Sequence, residues 1–368
     1  MMFDFFEIGS KINATIDEAR HDGVTLFGAG HFARAVFSAL QDLGIPVRAF
    51  VVSGQSAGMI DNVPVVSLED LDRNLCALPM WLAVFNRSAA SDLSLLAAAC
   101  HARGIDRLRL PQDYFEVIEQ QMGWRYWLTD RRHYADKRPQ IERALQMLGD
   151  DQSRQQFMDT LRFRLGASPE RAPQPSGTCQ YYPDEVIARF ASAGRSVVYV
   201  DGGAYDGDTL MQAAERLQLA GAYVFEPDPA NFSKLARKTR TFGFPVTGFP
   251  CGLSNATEWL AFSCENGEAS AIMSSGESRI QCVTLDDCLM NQRIDYIKLD
   301  IEGHELAALE GAQGIIARDR PVLAIAAYHR WDDIWKIPEF LQRIEPRYQL
   351  TYRIHESNTF DSVLYAVC

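Results

Sequence analysis

No two cysteines stand at CxxC spacing: the eight lie at 76, 100, 179, 251, 264, 282, 288 and 368. That scatter argues against a structural zinc site. Several sit inside apolar runs, as small core residues do, and read as thiols of a reduced, cytoplasmic protein. No stretch approaches the roughly 18 unbroken apolar residues of a membrane helix. The leading MMFDFFEIGSK has neither the basic nor the apolar region of a signal peptide. Basic charge is in deficit, with 36 Lys and Arg against 48 Asp and Glu and a net charge of −12. So acidic a surface repels a phosphate backbone and argues against a nucleic-acid substrate.

What is present is enough apolar sequence, 47% of 368 residues, for two or three packed domains. The chain reads as α/β throughout. A smaller Rossmann-like domain is expected over 1–115 and a helical connector with a Pro-rich linker over 116–178. A larger α/β domain follows over 179–368. The linker GASPERAPQPSGT (166–178) holds three prolines and no hydrophobic period, and is the clearest boundary.

Residues 196–228 organise the larger domain. Val197–Val200 is a β-branched and aromatic run, as a buried parallel strand should be. It stops at Asp201-Gly202-Gly203, where glycine lets the backbone turn tightly and approach a ligand. A helix over 209–217 and a second strand over 222–225 follow, ending at Glu226. In an open α/β sheet ligands bind beyond the carboxyl ends of the strands. An acid about 20 residues after the glycines is placed to take ribose hydroxyls. The loop has no Gly-Lys-Ser/Thr, so it is not a phosphate-gripping P-loop. Its Asp201, Asp206 and Asp208 would repel a pyrophosphate and suit a cationic nucleoside such as S-adenosylmethionine.

The first domain carries its own glycine loop, GAGHFA (28–33), between a strand over 24–27 and a helix to about Leu43. Further strands are expected over 47–52 and 80–85, and a helix over 91–102. The pattern fits the dinucleotide fingerprint, but the second strand ends at Ser53 with no acid for a ribose, so a structural role is expected. In the connector, Trp124, Tyr126, Trp127 and Tyr134 read as a packing face, with a substrate cleft as the alternative. Arg131 and Arg132 read as a solvated helix face.

Beyond Glu226, Asp228-Pro229 opens a helix, 244–249 is a strand ending near Leu253-Ser254, and 257–285 is a β excursion. Strands are expected over 294–301 and 321–327, with a helix over 304–317 after the first and one over 332–344 after the second. A closing hairpin is expected over 348–354 and 363–367. Asp300, Glu302 and His304 cluster after the 294–301 strand, and a strand's period of two puts Asp300 and Glu302 on one side. Two such carboxylates need a cation, a basic partner or a raised pKa. A helix cap with a Lys298 partner is the plain alternative. His329 and His355 end later strands on the same rim. A histidine there could take a proton from a hydroxyl.

At these residues the chain resembles the FkbM family of S-adenosylmethionine-dependent methyltransferases. The stretches that carry the resemblance are VDGGAYDGDT, VFEPDPANFSKL, CGLSN, IDYIKLDIEGHELAALEGA and AIAAYHRWDDIWKIPEFL, within 180–368. The resemblance implies a class I methyltransferase fold with a seven-strand doubly wound sheet, and transfer to an oxygen of a sugar, polyketide or similar small molecule. It implies that Asp201, Gly203 and Tyr205 surround the methionine end of the cofactor, with Gly202, Ala204 and Pro227 in the same set. Glu226 falls on the ribose and Leu253 and Ser254 near the adenine. Asp300, Glu302 and His304 fall near the transferred methyl. Apart from the resemblance, His329 is a further catalytic candidate from its place on the rim.

The mechanism expected is in-line displacement, with a rim histidine or carboxylate taking the proton. A divalent metal on Asp300 and Glu302 is the second choice. Two other classes remain open, an NAD(P)-linked oxidoreductase using GAGHFA and a non-catalytic nucleotide- or sugar-binding protein. The expected partner is a small-molecule acceptor, without nucleic acid or membrane, and the existence of a homodimer stays open.

Overall fold

Short β-branched runs separated by glycine turns and amphipathic helices build two parallel-rich sheets. The computed structural model describes residues 8–56, 58–166, 172–263, 271–272 and 278–368. These residues fall into two compact units that interleave along the chain. The first holds residues up to 141, 155–175 and 356–360. The second holds 142–154, 176–355 and 361–368.

The sheet of the first unit consists of β1 (Val24–Phe27), β2 (Val47–Val52), β3 (Met59–Ile60), β4 (Val63–Ser67), β5 (Met80–Leu82) and β6 (Leu108–Arg109). Their order is β3-β4-β2-β1-β5-β6, parallel except for the β3–β4 pair. Sequence periodicity misses β4, because Pro64 interrupts its apolar run. Pro64 is tolerated one residue into this short strand. The sheet turns outward in opposite senses on either side of β1 and β5, which makes that pair the topological switch point. Trp81 stacks on Tyr114 at 4.3 Å in the core beneath it.

Within the first unit the connector aromatics serve as packing. Trp127 meets Phe85 and Phe163, and Tyr126 meets Phe360. Arg131 departs from the solvated reading. It is 5% exposed and paired with Glu116 and Asp113, where helix Pro111–Met122 presents both acids to it. Arg132 stays exposed on Asp130.

The main sheet of the second unit holds β7 (Val197–Gly202), β8 (Leu219–Phe225), β9 (Val246–Phe249), β14 (Tyr296–Leu299), β15 (Val322–Ala326), β16 (Gln349–Ile354) and β17 (Ser362–Val367). Its order is β16-β17-β15-β14-β7-β8-β9, with β17 antiparallel to both neighbours and the rest parallel. This is the seven-strand class I methyltransferase sheet. The four residues of β14 are all buried, as a central parallel strand requires.

The expected β excursion forms a separate small sheet. Its strands are β10 (Gly252–Leu253), β11 (Glu258–Ser263), β12 (Ala271–Ile272) and β13 (Ser278–Val283), ordered β10-β13-β11-β12. Parts of the excursion lie outside the described residues.

Two expected elements are reshaped. The helix over 304–317 is two helices, Glu305–Glu310 and Gln313–Asp319. They part at Gly311, where a Cβ would stand 2.2 Å from the Ser254 carbonyl oxygen. The strand expected to 301 ends at Leu299, and residues 300–304 form a turn. Among the described residues no helix is long and apolar enough to cross a membrane.

Candidate active site

The switch point of the second unit lies between β7 and β14, and the loops beyond both strands meet there. Gly203 has φ +74, and a Cβ on it would stand 1.8 Å from the Asp300 carbonyl oxygen. No side chain fits, so the glycine is required by the close approach of the two backbones. The Asp300 N–H donates to the Gly202 carbonyl at 3.1 Å. The Gly203 and Ala204 N–H groups both donate to the Phe225 carbonyl at 3.0 Å, which folds the loop back over β8.

Glu226 holds that fold. Its carboxylate accepts from the Tyr205 N–H at 2.9 Å and from the Asp228 N–H at 2.8 Å, so it ties the loop after β7 to the loop after β8. Burial pushes its carboxyl up to about 7, against the two N–H donors. Tyr205 adopts φ +46 on this loop, an uncommon conformation for a non-glycine residue. Pro227 follows Glu226, and Asp228 caps helix Pro229–Lys238 through the Ala230 and Asn231 N–H groups. Leu253 reaches Gly202 from β10. Ser254 donates its N–H to the Val283 carbonyl at 3.0 Å and its hydroxyl to Glu258 at 3.4 Å.

Asp201 points into the protein rather than into the loop. It is fully buried, with Lys298 Nζ 3.1 Å from one oxygen and the Thr209 hydroxyl donating to the other at 2.6 Å. Asp201 and Lys298 are direct partners in the β7–β14 ladder. Burial raises the Asp201 carboxyl and Lys298 lowers it, while Asp201 overcomes burial to hold the amine charged. The geometry is that of a buried ion pair. Lys298 also donates to the Gly202 and Gly203 carbonyls at 3.2 and 2.8 Å, so the pair stiffens the glycine turn from beneath.

The acidic cluster forms across the turn. Asp300 accepts from the Tyr181 hydroxyl at 2.6 Å. Glu302 takes φ +54, a left-handed conformation that a non-glycine residue keeps only where its surroundings enforce it. This turn, not the period of a strand, carries Asp300 and Glu302 to one place. Both face His329 Nε2, from 3.3 Å (Asp300 Oδ1) and 3.5 Å (Glu302 Oε2). The His329 ring is fully buried, and its Nδ1 donates to Glu305 Oε1 at 2.8 Å.

Burial works against charge on His329, but Glu305, Glu302 and Asp300 push its pKa up to about 10. His329 is therefore an imidazolium at neutral pH, and the expected role of proton acceptor passes to a carboxylate. Burial pushes Glu302 up to about 8, with His329 opposing and Asp300 adding to the rise. Burial also opposes charge on Glu305, yet His329 and the Ile301 N–H hold it below the usual range. Asp333, beneath, is raised to about 8 by burial and by Glu305.

The other two histidines stand apart. His304 caps helix Glu305–Glu310, its ring makes no hydrogen bond or ion pair among the described residues, and burial lowers its pKa. His355 contacts the Tyr365 hydroxyl at 2.9 Å and the Thr178 carbonyl at 3.2 Å, and burial lowers it to about 4. Sequence reasoning passes over Tyr181, Glu305 and Asp333. Glu305 sits in the quoted DIEGHE stretch, but nothing in its spacing says that it reaches a histidine 24 residues on. Tyr181 is 119 residues from Asp300.

The donor set fits S-adenosylmethionine. The loops at the strand ends carry carboxylates and carbonyls, and their buried cations are already balanced, Lys298 by Asp201 and His329 by Glu305, Glu302 and Asp300. Such a set suits an ammonium and a sulfonium and opposes a phosphate.

In the first unit, Gly28 (φ +126) holds the matching place after β1, with the Ala83 carbonyl oxygen 2.6 Å from a Cβ position. Val84 is the side chain against it, and the loops after β1 and β5 carry aromatics. Phe32 of the GAGHFA loop packs on Phe85 at 5.5 Å, and Phe85 on Phe360 at 4.9 Å.

No curated protein matches the chain. A crystal structure of methyltransferase FkbM from Methylobacillus flagellatus KT aligns with a TM-score of 0.71 at 21% identity, covering 99% of this chain and 100% of that one. An rRNA methylase from Streptococcus thermophilus aligns at 16% identity and a TM-score of 0.32, over 50% of this chain and 90% of its own. The 1,6-didemethyltoxoflavin-N1-methyltransferase of Burkholderia thailandensis, with bound 1,6-didemethyltoxoflavin and S-adenosylhomocysteine, aligns at 14% and 0.27, over 50% and 76%. Residues 201–354, which span both the glycine loop and the acidic turn, match the methyltransferase FkbM domain. The chain thus carries a methyltransferase FkbM domain over residues 201–354.

Proposed function

We propose that this protein uses S-adenosylmethionine to methylate a hydroxyl group of a small molecule such as a sugar or polyketide. The observation that carries the reading is the placement of Glu302. A carboxyl tuned to about 8 stands in a left-handed turn beside a charged histidine, at the same strand ends as the glycine loop. An acid or base tuned near the working pH is what proton removal from a hydroxyl needs.

Loop residues 202–205 and Glu226 would hold the nucleoside and amino-acid ends of the cofactor, with Leu253 and Ser254 at its base. When bound, S-adenosylmethionine supplies a methyl group on a sulfonium, which leaves as a neutral thioether after transfer. Asp300, fixed by Tyr181, positions the acceptor beside Glu302. Glu302 takes the hydroxyl proton on its carboxylate as the oxygen gains the methyl. His329 stays protonated and offsets the negative charge that collects there. Holding the two reactants at near-attack distance can contribute about 7–11 kcal/mol of the barrier reduction.

The test is calorimetric titration with S-adenosylmethionine and S-adenosylhomocysteine, followed by methyl-transfer assays on sugar and polyketide hydroxyls. The reading expects micromolar cofactor binding and turnover on an oxygen acceptor. Binding without transfer to any acceptor would point to a binding protein. Absence of binding would remove the cofactor from the account.

A further inference from the structure

We propose that the first unit holds an oxyanion site, in which Arg164 and the indole N–H of Trp127 bind the carboxylate or phosphate of a small organic molecule. The site is separate from the methyl-transfer reading and does not rest on it.

Charge is the first observation. Five cationic side chains are buried among the described residues: Arg131, Arg164, Lys298, His329 and Arg353. Four of them are balanced. Glu116 and Asp113 pair with Arg131, Asp201 with Lys298, Glu305 with His329 and Asp150 with Arg353. Arg164, at the end of helix Asp151–Arg164, is 2% exposed and makes no ion pair among the described residues. A guanidinium cannot shed its proton in a protein. A buried charge without a partner is costly. The partner that would balance this one is an anion.

Hydrogen bonding gives the same answer independently. Nη1 and Nη2 of Arg164 have no acceptor, and neither has the buried Nε1 of Trp127. The guanidinium carbon lies 5.3 Å from the centre of the Trp127 ring, so three nitrogens that can only donate stand side by side. Buried donors are seldom left so. The Arg164 Nε donates to the Thr359 hydroxyl at 3.4 Å, which leaves the fork of the guanidinium facing elsewhere. A water molecule could accept from these donors but would leave the charge unbalanced. A carboxylate or phosphate answers both needs, because two of its oxygens match the fork at about 2.7–2.9 Å each.

The backbone beside Arg164 is strained. Asn358 and Thr359 take φ +58 and +61 in succession, and a β-branched residue rarely adopts that conformation. The Asn358 side chain enforces it. Its oxygen accepts from the Leu93 N–H at 2.9 Å, and its nitrogen donates to the Asn86 and Ser91 carbonyls at 3.0 and 2.9 Å. Strain held in this way is characteristic of ligand sites. Phe85 and Asn86 follow β5, so the site lies at the carboxyl ends of the first sheet, where α/β folds bind ligands. Phe85 packs on Trp127 at 5.2 Å and on Phe360 at 4.9 Å. These rings keep the surroundings of Arg164 apolar, which strengthens its attraction for an anion.

The test is scanning and titration calorimetry of the full chain with inorganic phosphate, glucose 6-phosphate and glucuronate, and with glucose as the neutral control. At least one of the anions should bind once per chain and raise the melting temperature, and glucose should do neither. A response to the two phosphates assigns a phosphate, and a response to glucuronate alone assigns a carboxylate. Arg164→Met should abolish the shift. Trp127→Phe, which keeps a ring and loses the N–H, should weaken binding about 10–100-fold, the loss of one hydrogen bond to a charged group. Arg132→Met, at an exposed arginine of the same unit, should change nothing. Without ligand, Arg164→Met should melt at or above the wild type, because a lone charge leaves the core. A lower melt would make Arg164 a residue of the fold and overturn the site. No shift with any of the three anions, or the same shift in Arg164→Met, would also overturn it. Either result leaves methyl transfer by the second unit as it stands.

Discussion

The two units solve the same backbone problem and differ in what they place around the solution. In each, a glycine follows the strand at the switch point and abuts the carbonyl just beyond the neighbouring strand: Gly28 against Ala83, Gly203 against Asp300. Against Gly28 stands Val84, and in the same two loops Phe32 packs on Phe85, which packs on Phe360. Around Gly203 the side chains are Glu226, Asp300, Glu302 and His329. A glycine-rich loop therefore reports crowding between strand ends. Whether it serves a ligand is decided by the ends of the other strands.

The comparison can be broken most forcefully at the buried ion pair, which has no counterpart in β1, whose four residues carry no charge. Asp201→Ala strands the Lys298 charge in the core and should cost about 3–5 kcal/mol in denaturant unfolding. A loss under about 1 kcal/mol would mean that water reaches Lys298 and that the glycine turn is not braced from beneath.

Glu302→Gln should lower kcat by about 10²–10⁴-fold with cofactor affinity unchanged, the range for a lost general base. Wild-type turnover should rise with pH through about 8, as Glu302 loses its proton, and the variant should lose that limb. An unchanged profile would remove Glu302 from proton transfer.

Exchanging the two glycines sharpens the contrast directly. Gly203→Ala forces the loops after β7 and β14 apart and should reduce turnover about 10²-fold through misplacement. Gly28→Ala should lower the melting temperature and leave cofactor affinity as it was. Equal effects of both on affinity would show that the first unit takes part in binding.

A further expected effect is a pH slope of stability. His329 is raised from 6.5 to about 10 and Glu302 from 4.5 to about 8, so the folded protein binds more protons than the unfolded chain between those values. The His329 contribution is complete below about 6.5 and is lost as pH rises through about 10, and Glu302 acts in the same sense between about 4.5 and 8. The melting temperature should therefore decline from pH 6.5 to 10. Glu305→Gln, which removes the main carboxylate holding the imidazolium, should flatten the upper part of that decline.

Much of the second unit was legible because its signals are local. The Val197–Val200 run, the glycines after it, the helix and the acid at 226 lie within about thirty residues, and β16 and β17 fall where alternation and turn residues put them. Long-range pairing was not legible. Lys298 looked available to Asp300 or Glu302, yet its ladder partner is Asp201. Asp300 and Glu302 were brought together by a period-two argument although the strand ends at Leu299, and a left-handed residue achieves the same end. Arg131 reads as surface until helix Pro111–Met122 brings Glu116 to it. The packed aromatics Phe32, Phe85 and Phe360 come from three places in the chain, the last beyond β16, and no local pattern joins them.

Hydrogen–deuterium exchange of the full chain with and without S-adenosylhomocysteine tests the central claim most directly. The account predicts protection at 201–208 and 226–228, with residues 28–33 unchanged. Protection at 28–33, or none at 201–228, would contradict it.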